Sequence, residues 1–447
     1  MSKTNTTKRS DAAELKNNFS KIKPRMTKQE AFVEASRCLF CHDAPCINAC
    51  PSSIDIPMFI RQIQSQNISG SAKTIFTQNI LGKSCAYVCP TEVLCEGACV
   101  YNLLNEKPID IGRLQGYATD HVIENNIRFF KAGKSTGKKV AVVGGGPAGL
   151  SCAHELTVLG HDVVIYEASE KAGGLNTYGV APYKYSNKDS EQEVKYISEI
   201  GFEIKTNCRV VADSELEKNY DAIFLSVGLG KSKKITIRGE NLKGVYGAAE
   251  FIYELRKKEQ KIQVPKNVVV IGAGNTAIDA SVETSKLSAN VTVVYRRSAK
   301  DQSAYYFEVE LAQKHNVKFM YLTSPKEIVG KEHVEGLLCV KNKAIETNGL
   351  GIGKSKIEEI PNSDFLIPCE MVILATGQEK MIDLYKSIPN LELDQGKIVV
   401  NKYFQTTNPK YFAGGDCING GKEVVNASAN GRDAARGIHQ FLMKGKK

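Results

Sequence analysis

The sequence predicts an α/β fold in which two nested Rossmann-like nucleotide-binding domains follow an all-helical, cysteine-rich domain. Three observations predict it: a glycine-rich fingerprint between apolar strands at residues 138–167, a second fingerprint of the same design from residue 267, and eight of the 13 cysteines within residues 38–99. A chain of 447 residues is also too long for a single ordinary core.

The composition argues against several other classes of protein. No apolar run approaches the roughly 18 residues of a membrane span, and the polar N-terminus lacks the apolar core of a signal peptide. We therefore expect a cytoplasmic protein with no membrane partner, whose cysteines serve metal or redox chemistry rather than disulfides. The formal net charge of +10 favours an anionic cofactor or an acidic partner, but a lysine-rich solvated surface explains it more simply. No nucleic-acid motif is present, so we expect no nucleic-acid partner.

The clustered cysteines form two quartets with iron–sulfur spacing. The first reads C-x2-C-x4-C-x3-C-P and the second C-x3-C-P-x4-C-x3-C. Endings in cysteine–proline are typical of iron–sulfur proteins, whereas structural zinc sites more often use C-x2-C pairs about 15–20 residues apart. The spacing therefore favours clusters over zinc or free thiols. The quartets are Cys38, Cys41, Cys46 and Cys50, then Cys85, Cys89, Cys95 and Cys99.

The fingerprint at residues 138–167 predicts a dinucleotide site. Gly144 makes the tight turn after the first strand, Gly146 lets the backbone approach a pyrophosphate, and Gly149 lets the following helix pack on the strand. That helix begins near Ala148, and its N-terminus offers free N–H groups and a positive dipole to the phosphates. Glu167, after the second strand, is placed to accept hydrogen bonds from ribose hydroxyls. A glycine-rich turn with no ligand is the alternative.

Two later segments predict that this dinucleotide is FAD. Gly174 and Leu175 belong to a second glycine turn, which suits a flavin diphosphate and ring, although a plain turn is the alternative. Near the C-terminus a strand runs into Gly415 and Asp416, where the acid can bind a ribityl chain. The following residues, 424–431, open a helix whose N-terminus can face the flavin.

The second fingerprint predicts a nicotinamide site. It keeps the first two glycines of the pattern and replaces the third by alanine, an allowed variant. Its second strand ends in Arg296 and Arg297 rather than in an acid, and two guanidinium groups can bind a 2′-phosphate. We therefore predict NADPH over NADH; the alternative is that the arginines stack on adenine or lie in solvent. The remaining predicted contacts are Gly272, Gly274, Asn275 and Thr276.

The order of these segments predicts three domains. Residues 1–137 form the all-helical iron–sulfur domain, because apolar residues recur at helical spacing in residues 56–63 and 72–80. Residues 138–243 and 371–447 form the FAD-binding domain, and residues 244–370 form the NAD(P)H-binding domain. One Rossmann-like domain is thus interrupted by the other.

Three short blocks carry a resemblance to a known family. They are SRCLxC at residues 36–41, CPTE at 89–92 and PIDIGRLQ at 108–115. The chain resembles the N-terminal half of dihydropyrimidine dehydrogenase and the separate bacterial subunit that matches that half. The glutamate synthase small subunit is a more distant relative.

That resemblance implies two 4Fe–4S clusters and their ligands. One cluster would be held by Cys38, Cys41, Cys46 and Cys99. The other would be held by Cys50, Cys89, Cys95 and the side-chain oxygen of Gln115. Spacing alone leaves Cys85 as a rival eighth ligand and leaves Gln115 open to being an ordinary helix amide.

The resemblance also implies a function. Hydride would pass from NAD(P)H to FAD, and single electrons would leave through the two clusters, with no side chain serving as catalytic acid or base because the cofactors carry the chemistry. A partner subunit with FMN and iron–sulfur centres would reduce uracil or thymine to the 5,6-dihydropyrimidine. The alternatives are the small subunit of NADPH-dependent glutamate synthase or of another ferredoxin-linked or electron-bifurcating complex, and a non-catalytic scaffold or redox sensor.

Overall fold

The computed structural model describes residues 12–211, 214–259, 261–345 and 355–444, which belong to two compact units. The first unit comprises residues 21–229 and those from 380 onwards, and the second comprises residues 230–379 and those before 21. The α-helices are α1 Ala12–Asn18, α2 Lys28–Ser36, α3 Pro45–Ala49, α4 Ile56–Gln64, α5 Ile68–Gln78, α6 Gly82–Val88, α7 Ile111–Glu124, α8 Pro147–Val158, α9 Leu175–Tyr178, α10 Asn187–Ser198, α11 Ser214–Asn219, α12 Ala248–Lys257, α13 Asn275–Lys286, α14 Tyr306–Lys314, α15 Ile382–Ser387, α16 Asp416–Asn419 and α17 Val424–Met443.

The strands form two parallel sheets, one antiparallel sheet and a short hairpin in the described part of the chain. They are β1 Lys139–Val143, β2 Asp162–Tyr166, β3 Glu203–Lys205, β4 Ala222–Leu225, β5 Val245–Gly247, β6 Asn267–Ile271, β7 Asn290–Val294, β8 Lys318–Met320, β9 Thr323–Gly330, β10 Val334–Ile345, β11 Lys356–Glu359, β12 Phe365–Pro368, β13 Met371–Leu374, β14 Leu393–Asp394, β15 Lys397–Ile398 and β16 Tyr411–Ala413.

Helices α2–α7 form the layer that carries the cysteines, as the helical spacing predicts. Helix α4 buries Ile56, Phe59, Ile60 and Ile63, which fall on one face. Its first turn is capped by Asp55, whose side chain accepts a hydrogen bond from the Met58 N–H at 3.1 Å. The same apolar core continues from these helices into α8 and one face of the first parallel sheet. The predicted boundary at residue 137 therefore separates two halves of one compact unit.

The first parallel sheet has the strand order β16-β4-β1-β2-β3, with α8 and α17 packed together beside it. Strand β1 is the central strand and is buried except at its first residue, which explains its continuous apolar sequence. The two helices meet at Gly431, where a Cβ atom would lie 2.1 Å from the Ala148 carbonyl oxygen. Only glycine allows this approach, and it brings the C-terminal helix onto the helix of the first fingerprint.

The second parallel sheet corrects one predicted boundary. Its order is β5-β13-β6-β7-β8, and Met371 to Leu374 of β13 pair with β6 on one side, while Val372 to Leu374 pair with β5 on the other. The sequence predicts that residues from 371 belong to the FAD-binding domain, but strand β13 completes the second parallel sheet, and the second unit runs from Gly230 to Glu379. The sequence of a short apolar strand is compatible with either parallel sheet, and only its pairing in the structure shows which sheet it belongs to. The antiparallel strands β9–β12 of this unit were not predicted.

A buried ammonium group joins the cysteine layer to the half of the first unit that contains the first parallel sheet, called the flavin half below because the sequence predicts FAD there. Lys83 of α6 is fully buried, and its Nζ lies 3.3 Å from Asp120 Oδ1 of α7 and 3.2 Å from Asp189 Oδ1 of α10. The next residue of α6, Ser84, donates its N–H to Glu193 of α10 at 2.8 Å, and burial raises the pKa of Glu193 to about 7. Helix α6 is thus fixed from both sides.

Replacing this lysine should destabilise the first unit. Lys83→Met keeps most of the side-chain volume but removes the cation that Asp120 and Asp189 share. Arg25 remains on Asp120 and Lys21 on Asp189, so we expect a loss of about 1–3 kcal/mol in the free energy of unfolding. Denaturant titration of the purified protein measures it. The exposed substitution Lys73→Met on α5 serves as the control and should stay within about 0.5 kcal/mol of the wild type. Equal midpoints for both variants would contradict the anchoring role.

Candidate cofactor sites

Glycine stands at the three fingerprint positions of the first unit for different structural reasons. Gly144 has φ +103°, and a Cβ atom there would lie 2.5 Å from the Ser226 carbonyl oxygen. A Cβ atom on Gly149 would lie 2.0 Å from the Gly144 carbonyl oxygen. For Gly146, by contrast, the nearest atom is the Gly174 Cα at 3.7 Å, an ordinary contact. The protein itself thus requires the first and third glycines, while the second opens onto space that a pyrophosphate can occupy.

Glu167 is fixed at the carboxyl end of β2 by two backbone groups. Its Oε2 accepts a hydrogen bond from the Gly145 N–H at 2.8 Å, and its Oε1 accepts one from the Ser169 N–H at 2.7 Å. The residue is buried, and each carboxylate oxygen has capacity for a further donor. This arrangement fits the predicted ribose contact, because the acid is held beside the fingerprint loop before any ligand arrives.

The two later segments meet the first fingerprint. The Gly174 turn packs on Gly146, since a Cβ atom on Gly174 would lie 2.8 Å from the Gly146 Cα, and the following Leu175 side chain is 49% exposed. Gly415 packs near Ala148, with 3.2 Å between a Cβ atom built on the glycine and the alanine Cβ. The predicted flavin residues therefore converge at the carboxyl ends of parallel strands, where such sheets bind ligands.

Asp416 stands at the start of α16 in a partly buried position. Its Oδ1 accepts a hydrogen bond from the Lys422 N–H at 3.2 Å, and burial raises the pKa of its carboxyl group. The preceding Gly415, with φ +79°, donates its N–H to Asn430 Oδ1 on α17 at 3.3 Å. Sequence analysis did not predict Asn430, because nothing in a helical asparagine marks it as the partner of a turn 15 residues earlier.

The second fingerprint lines a cavity of about 550 Å³ within the second unit. A Cβ atom on Gly272 would lie 2.3 Å from the Ala375 carbonyl oxygen, whereas at Gly274 the nearest atom is Ser303 Oγ at 3.4 Å. The second glycine is again the one that opens onto the cavity. Asn275 does not line it; its Oδ1 accepts the Tyr305 N–H at 3.0 Å. The predicted residues around the cavity are Gly272, Gly274, Thr276, Arg296 and Arg297.

Both predicted arginines border this cavity, as expected for residues that directly follow β7 of the fingerprint. Arg297 donates from Nε to the Ser355 carbonyl oxygen at 3.1 Å, and the Arg296 carbonyl oxygen accepts the side-chain amide of Asn342 at 2.8 Å. The antiparallel sheet thus positions the arginine backbone. Glu359 of β11 also lines the cavity and was not predicted, because its strand lies more than 60 residues further along the chain.

The first predicted ligand set surrounds one apolar cavity. Cys38, Cys41, Cys46 and Cys99 all line it, together with apolar side chains of α4 and of the segment before α7. Burial raises the pKa of Cys46 to about 12, and burial followed by the neighbouring thiols raises that of Cys38. Four thiols in an apolar enclosure fit a cluster, which binds thiolates and is tuned by its surroundings.

The second predicted set is also brought together, with Cys85 among it. The pKa of Cys89 is raised by a side-chain hydrogen bond with Cys85 and then by burial, and Cys50 and Cys95 act on it as further neighbours. Gln115 is buried, and its Nε2 donates to the Gly82 carbonyl oxygen of α6 at 2.7 Å. Both rivals for the eighth ligand therefore lie on or against the helix that leads to Cys89.

No three His, Cys, Asp or Glu side chains among the described residues lie close enough to hold a single metal ion. A 4Fe–4S cube bonds each ligand to a different iron, so its ligands stand further apart than those of one ion.

Comparison with known families identifies both halves of the chain. A family model described as dihydropyrimidine dehydrogenase domain II, 4Fe-4S cluster, matches residues 15–127. A second, described as pyridine nucleotide-disulphide oxidoreductase, matches residues 138–431, more than half of the chain. The chain belongs to this oxidoreductase family.

Individual relatives of this oxidoreductase agree with that assignment. The NAD-dependent dihydropyrimidine dehydrogenase subunit PreT of Salmonella typhimurium is 34% identical over 95% of this chain and 98% of the relative. The glutamate synthase (NADPH) small chain of Escherichia coli is 33% identical over 95% of this chain and 94% of the relative. Mycobacterium tuberculosis FprA in complex with NADPH shares the fold, with a TM-score of 0.58 and 20% identity over 69% of this chain and 85% of FprA.

The resemblance drawn from the cysteine blocks is thus confirmed. The chain is an NAD(P)H-dependent flavin oxidoreductase with a 4Fe–4S domain ahead of two Rossmann-like folds. None of the helices described has both the length and the apolarity needed to cross a bilayer.

The two open glycines of this oxidoreductase provide a test of the sites. Gly146→Ala should leave the unfolding midpoint of the cofactor-free protein close to that of the wild type, because the added methyl group meets no protein atom closer than 3.7 Å. It should nevertheless weaken flavin binding by tenfold or more, because the methyl group occupies the phosphate space. Equilibrium dialysis with FAD measures the affinity.

Gly274→Ala is the reciprocal control. It should weaken binding of the nicotinamide dinucleotide and leave FAD affinity unchanged. The assignment of the two fingerprints fails if either substitution affects both ligands equally, or if Gly146→Ala leaves FAD affinity intact.

Proposed function

We propose that this chain is the NAD(P)H-oxidising subunit of a complex that interconverts uracil or thymine with the 5,6-dihydropyrimidine. It would hold FAD and two 4Fe–4S clusters and would pass electrons to a partner subunit with FMN and iron–sulfur centres. The observation that carries the proposal is Gln115, which is buried against α6, the helix that leads to Cys89, in a chain whose relative PreT bears the name of a dihydropyrimidine dehydrogenase subunit.

The residues of this chain would bind and orient the cofactors. The Gly146 loop and the N-terminus of α8 would hold the FAD diphosphate, Glu167 the ribose and Asp416 the ribityl chain. When bound, FAD accepts hydride from the reduced nicotinamide and the clusters carry electrons singly. The Cys38 set and the Cys50 set would hold the clusters within a helical layer that shares its core with the flavin half.

A second candidate is the small subunit of a glutamate synthase, because a glutamate synthase small chain matches 95% of this chain at 33% identity, close to the 34% of PreT. The two candidates differ in the partner and in its substrate. We therefore propose to capture the native complex anaerobically through a tag on this chain and to assay NAD(P)H oxidation with uracil, with thymine, or with glutamine and 2-oxoglutarate.

The proposal expects a captured subunit that contains FMN and oxidation of NAD(P)H that depends on uracil or thymine. Glutamate formation without pyrimidine reduction would favour the second candidate. A complex that bleaches its flavin with NAD(P)H but acts on neither substrate would contradict both. A chain without flavin, iron and sulfide would support a scaffold role instead.

The preference for NADPH or NADH tests the role of the two arginines in the second fingerprint. Relatives carry both names, NAD for PreT and NADPH for the glutamate synthase chain. We propose NADPH, because Arg296 and Arg297 border the cavity where an acid would repel a 2′-phosphate.

Replacing either arginine by alanine should raise the Kd for NADPH roughly tenfold to a hundredfold, the loss expected for a charge-assisted hydrogen bond, and leave the Kd for NADH within about threefold. Stopped-flow reduction of the flavin with each nucleotide measures both constants. Arg238→Ala, an exposed arginine of the same unit, removes the same charge and should change neither. A wild type that prefers NADH tenfold or more would defeat the proposal.

A further inference from the structure

Strand β11 brings an acidic side chain to the cavity of the second fingerprint from outside the fingerprint itself. Glu359 is the last residue of this strand and lines the cavity together with Arg296 and Arg297. The residue is exposed, so its carboxylate is accessible to whatever fills the cavity. The cavity therefore has an acid beside the two arginines, although the fingerprint has none after β7.

The strand pairing shows which way Glu359 faces. It lies opposite Asn342 in the antiparallel pair of β10 and β11, and directly opposed side chains share one face of a sheet. The Nδ2 of Asn342 donates to the Arg296 carbonyl oxygen and to Ser324 Oγ, both at 2.8 Å, and Ser324 also lines the cavity. Glu359 is thus on the face of β11 that meets the arginine segment.

The start of β11 is attached to the same segment. The carbonyl oxygen of Ser355, the residue before the strand, accepts a hydrogen bond from Arg297 Nε at 3.1 Å. Its N–H donates to Asp301 Oδ1 at 2.8 Å. A four-residue strand that is held at its start and paired with β10 along its length gives Glu359 a fixed place relative to both arginines.

The three charged groups border one cavity without neutralising one another. In the described part of the chain, neither arginine forms an ion pair with Glu359, and the lysines near β11 pair with other acids: Lys343 with Glu358 at 3.1 Å and Lys326 with Asp364 at 2.8 Å. The carboxylate of Glu359 therefore keeps its charge available to a ligand in the cavity.

We propose that Glu359 is a specificity-determining residue, which opposes the 2′-phosphate of NADPH and so limits the preference that Arg296 and Arg297 give. The inference rests on the proposed function, since it assumes that the cavity binds the adenosine end of a nicotinamide dinucleotide. A carboxylate only accepts hydrogen bonds, so it tolerates the ribose hydroxyls of NADH but repels a phosphate. Discrimination between two ligands commonly uses such a repulsive group beside the attractive ones.

The test measures nucleotide affinity on the anaerobically purified full-length chain with its cofactors bound. Calorimetric titration with NADP+ and NAD+ avoids reduction of the flavin. Glu359→Gln should lower the Kd for NADP+ about tenfold, because a like charge is removed from beside the phosphate. It should leave the Kd for NAD+ within about threefold, since the amide oxygen can still accept from a hydroxyl.

The charge of the side chain provides two further readouts. Glu359→Lys reverses the charge and should lower the Kd for NADP+ more than Glu359→Gln does. The advantage of both variants over the wild type should shrink as the ionic strength rises from about 0.01 M to about 1 M, because salt screens the repulsion.

Glu358 offers a matched control on the same strand. Successive side chains of a strand point to opposite faces, and Glu358 pairs with Lys343 and does not line the cavity. Glu358→Gln removes the same charge one residue away and should keep both Kd values within about threefold of the wild type.

The inference is judged by the change in the NADP+ to NAD+ affinity ratio, whichever nucleotide the wild type prefers. It is overturned if Glu359→Gln leaves the Kd for NADP+ unchanged, shifts both nucleotides equally, or acts no differently from Glu358→Gln. Each of these results leaves the proposed function intact. A wild-type chain that binds neither nucleotide would overturn the proposed function, and this inference with it.

Discussion

The buried ammonium of Lys83 is the constraint on which the arrangement of the first unit depends. Moving a charge out of water costs several kcal/mol, and the cost is met only when the opposite charges are held in place. Here one carboxylate comes from α7 of the cysteine layer and the other from α10 of the flavin half. The ion pairs are complete only when the two halves are docked, which agrees with the apolar core that runs through both. The cysteine layer is therefore part of the flavin unit rather than an appended module.

The same constraint fixes the chemistry-bearing groups of α6. Residues on either side of Lys83 face different neighbours: the Gly82 carbonyl oxygen meets Gln115, and the Ser84 N–H meets Glu193. Cys85 and Cys89 follow within two turns of the same helix and its cap. A shift of the flavin half would therefore be transmitted to the second cysteine set through a seven-residue helix. Such fixed spacing would suit electron transfer between the proposed centres.

Sequence patterns predicted what local chemistry determines. The fingerprint glycines, the strands around them, the apolar faces of α4 and α5 and the cysteine spacing all have short-range signals, and the structure has these elements where expected. Lys83 could not be found, because a buried lysine looks like any surface lysine until its partners are known. The prediction for β13 was wrong for a related reason: the sequence of a short apolar strand does not show which sheet it joins. Asn430 could not be found either, because its partner, the Gly415 N–H, lies 15 residues earlier in a separate turn.

The glycines of each fingerprint are needed for two different reasons: some are required by the fold of the chain, and others only by a bound ligand. In both fingerprints the first glycine is imposed by a carbonyl oxygen of a neighbouring strand end, Ser226 in one and Ala375 in the other. The second glycine, Gly146 or Gly274, meets only ordinary contacts, so the folded chain by itself would accept alanine there. A residue that folding does not require, at the same place in two separate sheets, is most simply explained by a ligand that approaches the backbone at both. The geometry of the chain thus favours two dinucleotide sites independently of its relatives.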